Sequence, residues 1–208
     1  MHTTLFLVRH GETEWERTRR VAGRRDLGLT DLGLAQAAVV TERLAGLEIA
    51  EILSSPLVRA FDTAELISKP HGIEVGRDPR LTDVNVGRWE GKTYREVEAS
   101  PEYVEFLRGP RLTTIPGGES LVSIRDRVVA SVEQALEGNE LGSNIVVISH
   151  AIVVRVLLAH YLGKELGHYH RLRVTRGSLS LLRYDTDREL PRVLAINHGA
   201  TLDEILQD

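Results

Sequence analysis

The chain has 208 residues, of which 42% are hydrophobic and 27% are charged, and its formal net charge at pH 7 is −4. This composition is typical of a globular protein, and the length fits one domain or one domain with a small insertion. The net charge does not indicate a nucleic-acid-binding surface, and the absence of cysteine excludes disulfides, zinc-thiolate sites and cysteine nucleophiles.

The first third of the chain alternates short apolar runs with helical patterns. Leu5–Val8 is typical of a buried strand, and it ends abruptly at Arg9 and His10. Thr30 fits the N-cap of a helix whose apolar residues follow with helical spacing. The next predicted elements are a strand at 49–53, a helix at about 57–67 and a short strand at 73–75.

The rest of the chain contains a long irregular segment and then a second set of regular elements. Residues 78–118 carry four prolines, with helical character at 94–107, and we predict a lid-like or binding insertion there. A helix should follow from about Ser120 to Leu136. The apolar run at 144–149 is the strongest candidate for a parallel strand. It should be followed by a helix at 151–162 and strands at about 178–184 and 192–197.

The alternation of strands and helices predicts an α/β fold with three layers. We expect an open, mostly parallel sheet that is covered by helices on both faces. Repeats, low-complexity tracts and linkers are not evident in the sequence. Residues 1–208 are therefore interpreted as a single domain with the insertion at about 78–118.

Two predicted strands end in the same way, with a histidine directly after an apolar run. His10 follows the first strand, and His150 follows the strand at 144–149. Because the carboxyl ends of parallel strands lie at one edge of a sheet, both imidazoles should reach the same edge, where α/β proteins bind ligands. Arg59 lies in the first turn of the predicted helix at 57–67, and a helix N-terminus with an arginine suits a phosphate.

Six short motifs follow one another along the chain. They are Arg9-His10-Gly11-Glu12-Thr13, Leu29-Thr30-Asp31-Leu32-Gly33, Ser55-Pro56-Leu57 through Ala64, Leu81-Thr82-Asp83 with Gly87-Arg88-Trp89-Glu90-Gly91, Pro116-Gly117-Gly118-Glu119-Ser120, and Val147-Ile148-Ser149-His150. In this order they resemble the histidine phosphatase superfamily, also called the phosphoglycerate-mutase-like family, over most of the chain. The resemblance implies the phosphoglycerate-mutase-like fold.

The resemblance also implies a set of catalytic residues. Neutral His10 would attack phosphorus and carry the phosphoryl group, which divides one difficult displacement into two easier ones. Arg9, Arg59 and His150 would hold the phosphoryl oxygens. Asp83 would act as the acid that protonates the leaving alcohol and then as the base for water. The family usually has Glu at this position, and two alternatives stay open: Asp83 only caps a turn, or Glu90 is the acid.

Substrate contacts implied by the resemblance involve Arg9, Arg59, Glu16, Gly23 and Ala151. Glu16 departs from the family, which often has Asn after the tryptophan, and Ala22 stands where Gln or Thr is common. A carboxylate near a bound phosphate is unfavourable unless a cation offsets it. Glu16 could therefore face the surface, pair with an arginine among 20, 24 and 25, or bind a cationic group of the substrate.

We predict a phosphomonoesterase that hydrolyses a small phosphorylated metabolite through a phosphohistidine on His10. One alternative is a cofactor-dependent phosphoglycerate mutase, although the segment between Glu90 and Glu119 is short for one and offers few basic residues. A second alternative is a binding or regulatory member of the family without turnover. We expect no metal, because Arg9 beside His10 would repel a cation, and no cofactor.

The expected partner is a small-molecule phosphate ester. Nucleic acid and membrane are not expected as partners, since the apolar runs are too short to span a bilayer. A homodimer is left open. We see no signal peptide and expect a cytoplasmic location.

Overall fold

The computed structural model describes residues 2–108, 115, 117–185 and 190–199. Six strands form one sheet in the order β3-β2-β4-β1-β5-β6. Their bounds are β1 (His2–Arg9), β2 (Glu51–Ser54), β3 (Val75–Arg77), β4 (Asn144–Ser149), β5 (Leu179–Asp185) and β6 (Arg192–His198). The expected open, mostly parallel sheet is confirmed: β1 to β4 are parallel to one another, and β5 and β6 continue the sheet in antiparallel pairing.

The central strands β1 and β4 run side by side and end at the same level. Their register pairs Leu5 with Ile145 and Arg9 with Ser149. Since Arg9 and Ser149 are the last residues of their strands, the next residue of each chain segment leaves the sheet at the same edge. Those residues are His10 and His150, as the sequence indicated.

The side chains of β1 alternate between two apolar cores. Leu5 and Leu7 belong to one core, and Phe6 and Val8 belong to the other. The first core contains residues of α6 and α7, and the second contains residues of α2 and α3, so helices cover both faces of the sheet. The described α-helices are α1 (Glu14–Arg17), α2 (Asp31–Leu44), α3 (Val58–Ser68), α4 (Tyr94–Glu98), α5 (Pro101–Arg108), α6 (Leu121–Gly138) and α7 (Ala151–Tyr161).

The described part of the segment at 78–118 is less irregular than the sequence predicted. Its helical part divides into α4 and α5 at Pro101, because proline disfavours a helical conformation at the preceding residue and suits the first turn of a new helix. Residues 109–114 and 116 lie outside the described residues, so the lid-like role of this insertion stays a prediction, as does the single domain. In the part of the chain that the structure covers, every helix is too short or too polar to cross a bilayer.

Candidate active site

The two strand-end histidines meet at the carboxyl edge of the sheet. The ring centroids of His10 and His150 lie 5.0 Å apart, and both residues are buried. The backbone N–H of His10 donates to the carbonyl oxygen of Ser149 (3.1 Å), which extends the β1–β4 pairing by one residue. The expected convergence of the two imidazoles is therefore found.

One nitrogen of His10 is fixed as a donor and the other faces a cation. Nδ1 lies 2.7 Å from the carbonyl oxygen of Gly11, and because a carbonyl only accepts, Nδ1 carries the proton. Nε2 then keeps a lone pair, which accepts from Nε of Arg59 at 3.1 Å. Burial, reinforced by Arg59 and Arg9, lowers the pKa of His10 from 6.5 to about 3, and Glu16 only partly opposes this shift. His10 is therefore neutral at physiological pH.

A contact between two glycines sets the path of the chain after His10. A Cβ atom on Gly11 would lie 2.2 Å from the carbonyl oxygen of Gly33, and one on Gly33 would lie 2.2 Å from the carbonyl oxygen of Glu12. Gly33 is in the first turn of α2, whose N-cap Thr30 accepts from its N–H, as predicted for Thr30. Only glycine lets the loop and the helix approach so closely, and this approach holds the Gly11 carbonyl under Nδ1 of His10.

Arg59, in the first turn of α3, joins the separate parts of the site. Its side chain is only 1% exposed. Besides His10, it donates to the carbonyl oxygens of Arg25 and Gly23 and to Oδ2 of Asp83, at 2.8, 2.8 and 2.9 Å. One guanidinium therefore links the candidate nucleophile, the loop after α1 and the candidate acid.

Asp83 reaches the site from the loop that follows β3. Its Oδ1 accepts from the backbone N–H of Val84 (2.8 Å), and its Oδ2 lies 3.6 Å from Nδ1 of His150. Ser149, at the end of β4, donates to the carbonyl oxygen of Leu81 (2.7 Å) and so fixes the loop against the sheet. Burial raises the pKa of Asp83, although Arg59 acts in the opposite direction. A carboxyl with a raised pKa is suited to give and take a proton. Glu90, the alternative acid, is exposed.

His150 occupies the N-cap position of α7, and Ala151 begins the helix. Its Nε2 lies 2.8 Å from Oγ of Ser55, and its Nδ1 has no hydrogen-bond partner among the described residues. Burial, with Arg59 next in importance, holds the pKa of His150 well below 6.5. A buried polar atom without a partner is costly unless a ligand satisfies it. Ser55 was not predicted as a site residue, because its contact with His150 depends on the pairing of β2 with β4.

Glu16 is buried in the site and forms an ion pair with Arg9, an arrangement that the sequence predicted only in part. Oε1 accepts from Nη2 of Arg9, while Oε2 accepts from the N–H and the hydroxyl of Thr13 at 3.0 and 3.1 Å. Burial acts to raise the pKa of Glu16, but Arg9 and then His10 outweigh it and lower the pKa to about 2.

Two expectations for Glu16 were therefore wrong. The prediction that Glu16 faces the surface is wrong, because only 8% of its side chain is exposed. The pairing with Arg20, Arg24 or Arg25 is wrong as well. Arg20 donates to the carbonyl oxygen of Gly91, and Arg24 pairs with Glu119. The backbone turns after His10, and this turn brings Glu16 back onto the arginine of β1.

The remaining predicted substrate contacts are backbone positions. Gly23 has a φ of +52°, a left-handed conformation that suits glycine, and its carbonyl accepts from Arg59. Ala151 contributes the first backbone N–H of α7, beside His150. Their contacts with substrate stay predictions. Within the ranges that the structure describes, no cluster of three or more His, Asp or Glu side chains is arranged to hold a metal ion.

A family model matches nearly the whole chain. The model of the histidine phosphatase superfamily (branch 1) matches residues 5–199. The chain belongs to this superfamily, and the predicted resemblance is confirmed.

A named relative and two solved structures resemble this chain over most of its length. The "Probable phosphoglycerate mutase GpmB" of Salmonella choleraesuis (strain SC-B67) is 36% identical over 191 residues, which cover 89% of this chain and 87% of that protein. "Mycobacterial hydrolase 1" superposes with a TM-score of 0.88 at 27% identity, covering 96% of this chain and 100% of that one. A phosphoserine phosphatase mutant from Entamoeba histolytica, in complex with phosphoserine, has a TM-score of 0.84 at 28% identity, covering 94% and 97%.

Proposed function

We propose that this protein is a phosphomonoesterase that hydrolyses a small phosphorylated metabolite through a phosphohistidine on His10. The observation that carries the proposal is the environment of His10 Nε2. This nitrogen is unprotonated and accepts a hydrogen bond from Arg59, the ring of His150 lies 5.0 Å from the ring of His10, and a carboxyl with a raised pKa lies beside His150. These are the parts that two successive phosphoryl displacements require.

In the first step, Nε2 of His10 forms a bond to phosphorus while the bond from phosphorus to the ester oxygen breaks. Asp83, starting as the neutral acid, gives its proton to the departing oxygen, so the alcohol leaves uncharged. Arg9 and Arg59 stabilise the negative charge on the phosphoryl oxygens. The unpartnered Nδ1 of His150 is the further group placed to contact the transferred phosphoryl.

In the second step, water replaces the alcohol. Asp83, now a carboxylate, takes a proton from the water as its oxygen bonds to phosphorus, and the bond between phosphorus and Nε2 breaks. The products are inorganic phosphate, neutral His10 and protonated Asp83. The bond between Nδ1–H and the Gly11 carbonyl holds the imidazole in one orientation through both steps.

A second candidate is a phosphoglycerate mutase, because a relative that is 36% identical carries that name. A mutase must return the phosphoryl group to a second hydroxyl instead of to water. The similarity to a phosphoserine phosphatase supports hydrolysis, as does the short segment between Glu90 and Glu119. Incubation with 3-phosphoglycerate, with and without a bisphosphate primer, separates the two: a mutase releases 2-phosphoglycerate, and a phosphatase releases inorganic phosphate.

The test of the mechanism is a labelling experiment with a panel of phosphorylated metabolites and no added metal. The wild type should release free phosphate and, after a rapid quench, carry an acid-labile label from a turned-over substrate. The His10→Ala variant should show neither, with a loss of turnover on the order of 10⁴-fold or more. His168→Ala removes an exposed histidine and should match the wild type. Substantial turnover by folded His10→Ala would disprove the phosphohistidine.

A further inference from the structure

The summed charge of the residues around His10 is too small to neutralise a phosphate dianion. Arg9 and Arg59 contribute two positive charges, and Glu16 contributes one negative charge. His10 and His150 are neutral because they are buried, and Asp83 begins the proposed reaction as a neutral acid. Two positive charges less one leave a net charge of +1.

The negative charge of Glu16 is fixed by its surroundings. Both carboxylate oxygens accept hydrogen bonds, Oε1 from Arg9 and Oε2 from the N–H and the hydroxyl of Thr13. With a pKa lowered to about 2, the side chain stays ionised at every pH at which the enzyme would work. Glu16 is thus a fixed negative charge of the site.

We propose that Glu16 makes this site selective for the singly protonated, monoanionic form of a phosphate ester over the dianion. The inference rests on the phosphomonoesterase proposed above and concerns the same site. A monoanion brings the buried cluster to neutrality, whereas a dianion leaves an uncompensated negative charge. In a buried site such a charge is strongly unfavourable, because little water is present to screen it. Glu16 is therefore a specificity-determining residue.

The proposal makes affinity depend on the protonation of the ligand. A phosphate monoester loses its second proton at about pH 6, so the monoanion becomes scarce above that pH. The ionisable groups of the cluster come from five different parts of the chain. They are Arg9 and His10 at the end of β1, Glu16 on α1, Arg59 on α3, Asp83 after β3 and His150 before α7. Of these, Asp83 is the group whose own titration must be separated from that of the ligand.

A pair of inhibitors makes that separation. An alkyl phosphonate changes from monoanion to dianion as the pH rises, whereas an alkyl sulfonate of the same length stays a monoanion. Competitive inhibition constants are measured from pH 5 to 8.5. In the wild type, sulfonate binding reports only the titration of the enzyme. Phosphonate binding should weaken by a further factor of about ten per pH unit above the second pKa of the phosphonate.

Three variants test whether the preference for a monoanion comes from the charge of Glu16. In Glu16→Gln the charged groups around His10 sum to +2. The ratio of the sulfonate to the phosphonate inhibition constant at pH 8 should therefore be at least ten times that of the wild type. Glu16→Asp keeps the charge and should keep the wild-type preference. Glu14→Gln is the matched control, since it removes an exposed carboxylate from the same helix, and it should change neither constant.

The outcomes are distinct. Equal pH dependence of phosphonate and sulfonate in the wild type overturns the inference whether or not any variant folds. An unchanged ratio of the two constants in folded Glu16→Gln overturns it as well. If neither anion competes with substrate while His10 is still labelled, only the charge argument fails. If His10 is not labelled, the proposed function fails.

Discussion

Nε of Arg59 lies 3.1 Å from Nε2 of His10 and donates a hydrogen bond to the lone pair that would attack phosphorus. This bond holds the imidazole in position and satisfies a buried acceptor. A bound phosphoryl group must replace it, because a lone pair that accepts a hydrogen bond cannot also attack. Arg59 therefore orients the His10 imidazole, and in the proposed mechanism it would become a ligand of the phosphoryl oxygens.

Replacement of Arg59 by Lys should reduce kcat/KM by about 10²–10³-fold, because lysine keeps the charge but cannot reproduce the bonds to His10, Asp83 and the two carbonyls. Replacement by Met should in addition raise the pKa of His10, since Arg59 lowers it. NMR titration of the His10 imidazole measures that shift. Arg95→Lys, at an exposed position, should leave both quantities unchanged. Because burial alone also lowers the pKa of His10, the result that would contradict this account is a pKa of His10 in Arg59→Met that equals the wild-type value.

Replacement of Asp83 by Asn should slow an alkyl phosphate far more than a nitrophenyl phosphate. General acid catalysis contributes about 10²–10⁴-fold when the leaving group is a poor one, and a nitrophenolate hardly needs the proton. Asparagine preserves the size of the side chain near His150 but supplies no acid. Glu90→Gln, at an exposed position, is the control and should behave as the wild type. Equal losses with both substrates would remove Asp83 from the acid role.

Stability should fall as the pH decreases below 6.5, because His10 is neutral and buried in the folded chain. Its pKa is about 3 when folded, compared with 6.5 in the unfolded state, so only the unfolded chain takes up the proton in this range. Each such histidine contributes a slope of about 1.4 kcal/mol per pH unit. Between pH 7.5 and 5, the free energy of unfolding of His10→Gln should therefore decrease by roughly 2 kcal/mol less than that of the wild type. Urea unfolding at each pH measures this difference. His168→Gln should retain the wild-type slope; an unchanged slope in His10→Gln would show that His10 is not buried as described.

Replacement of Gly33 by Ala should lower both stability and activity. The new methyl group would meet the carbonyl oxygen of Glu12 at 2.2 Å, so the loop carrying His10 and Gly11 would have to move. Thermal unfolding and kcat/KM measure the two effects. Gly46→Ala introduces its methyl group into open space and should be tolerated. An active Gly33→Ala enzyme with wild-type stability would mean that the glycine contact does not position His10.

The sequence predicts the parts of this site that depend on strand ends. His10 and His150 follow apolar runs, so their convergence needed only a parallel sheet, and β4 was predicted with its observed bounds. The pairing of Arg9 with Glu16 was not predictable in this way, because it depends on how the chain turns between β1 and α1. The contact of Ser55 with His150 depends on the β2–β4 register. The sequence does not reveal such a register directly.

The pairing of β1 with β4 also affects when the candidate site can form during synthesis of the chain. Leu5 and Ile145 are neighbours in the sheet although 140 positions separate them in the chain. A ribosome delivers β1 early and β4 only after two thirds of the protein has been made. Until then His10 has no second histidine beside it, and contacts between such distant segments form slowly. The histidine pair of the candidate site can therefore form only when the sheet closes around its two central strands.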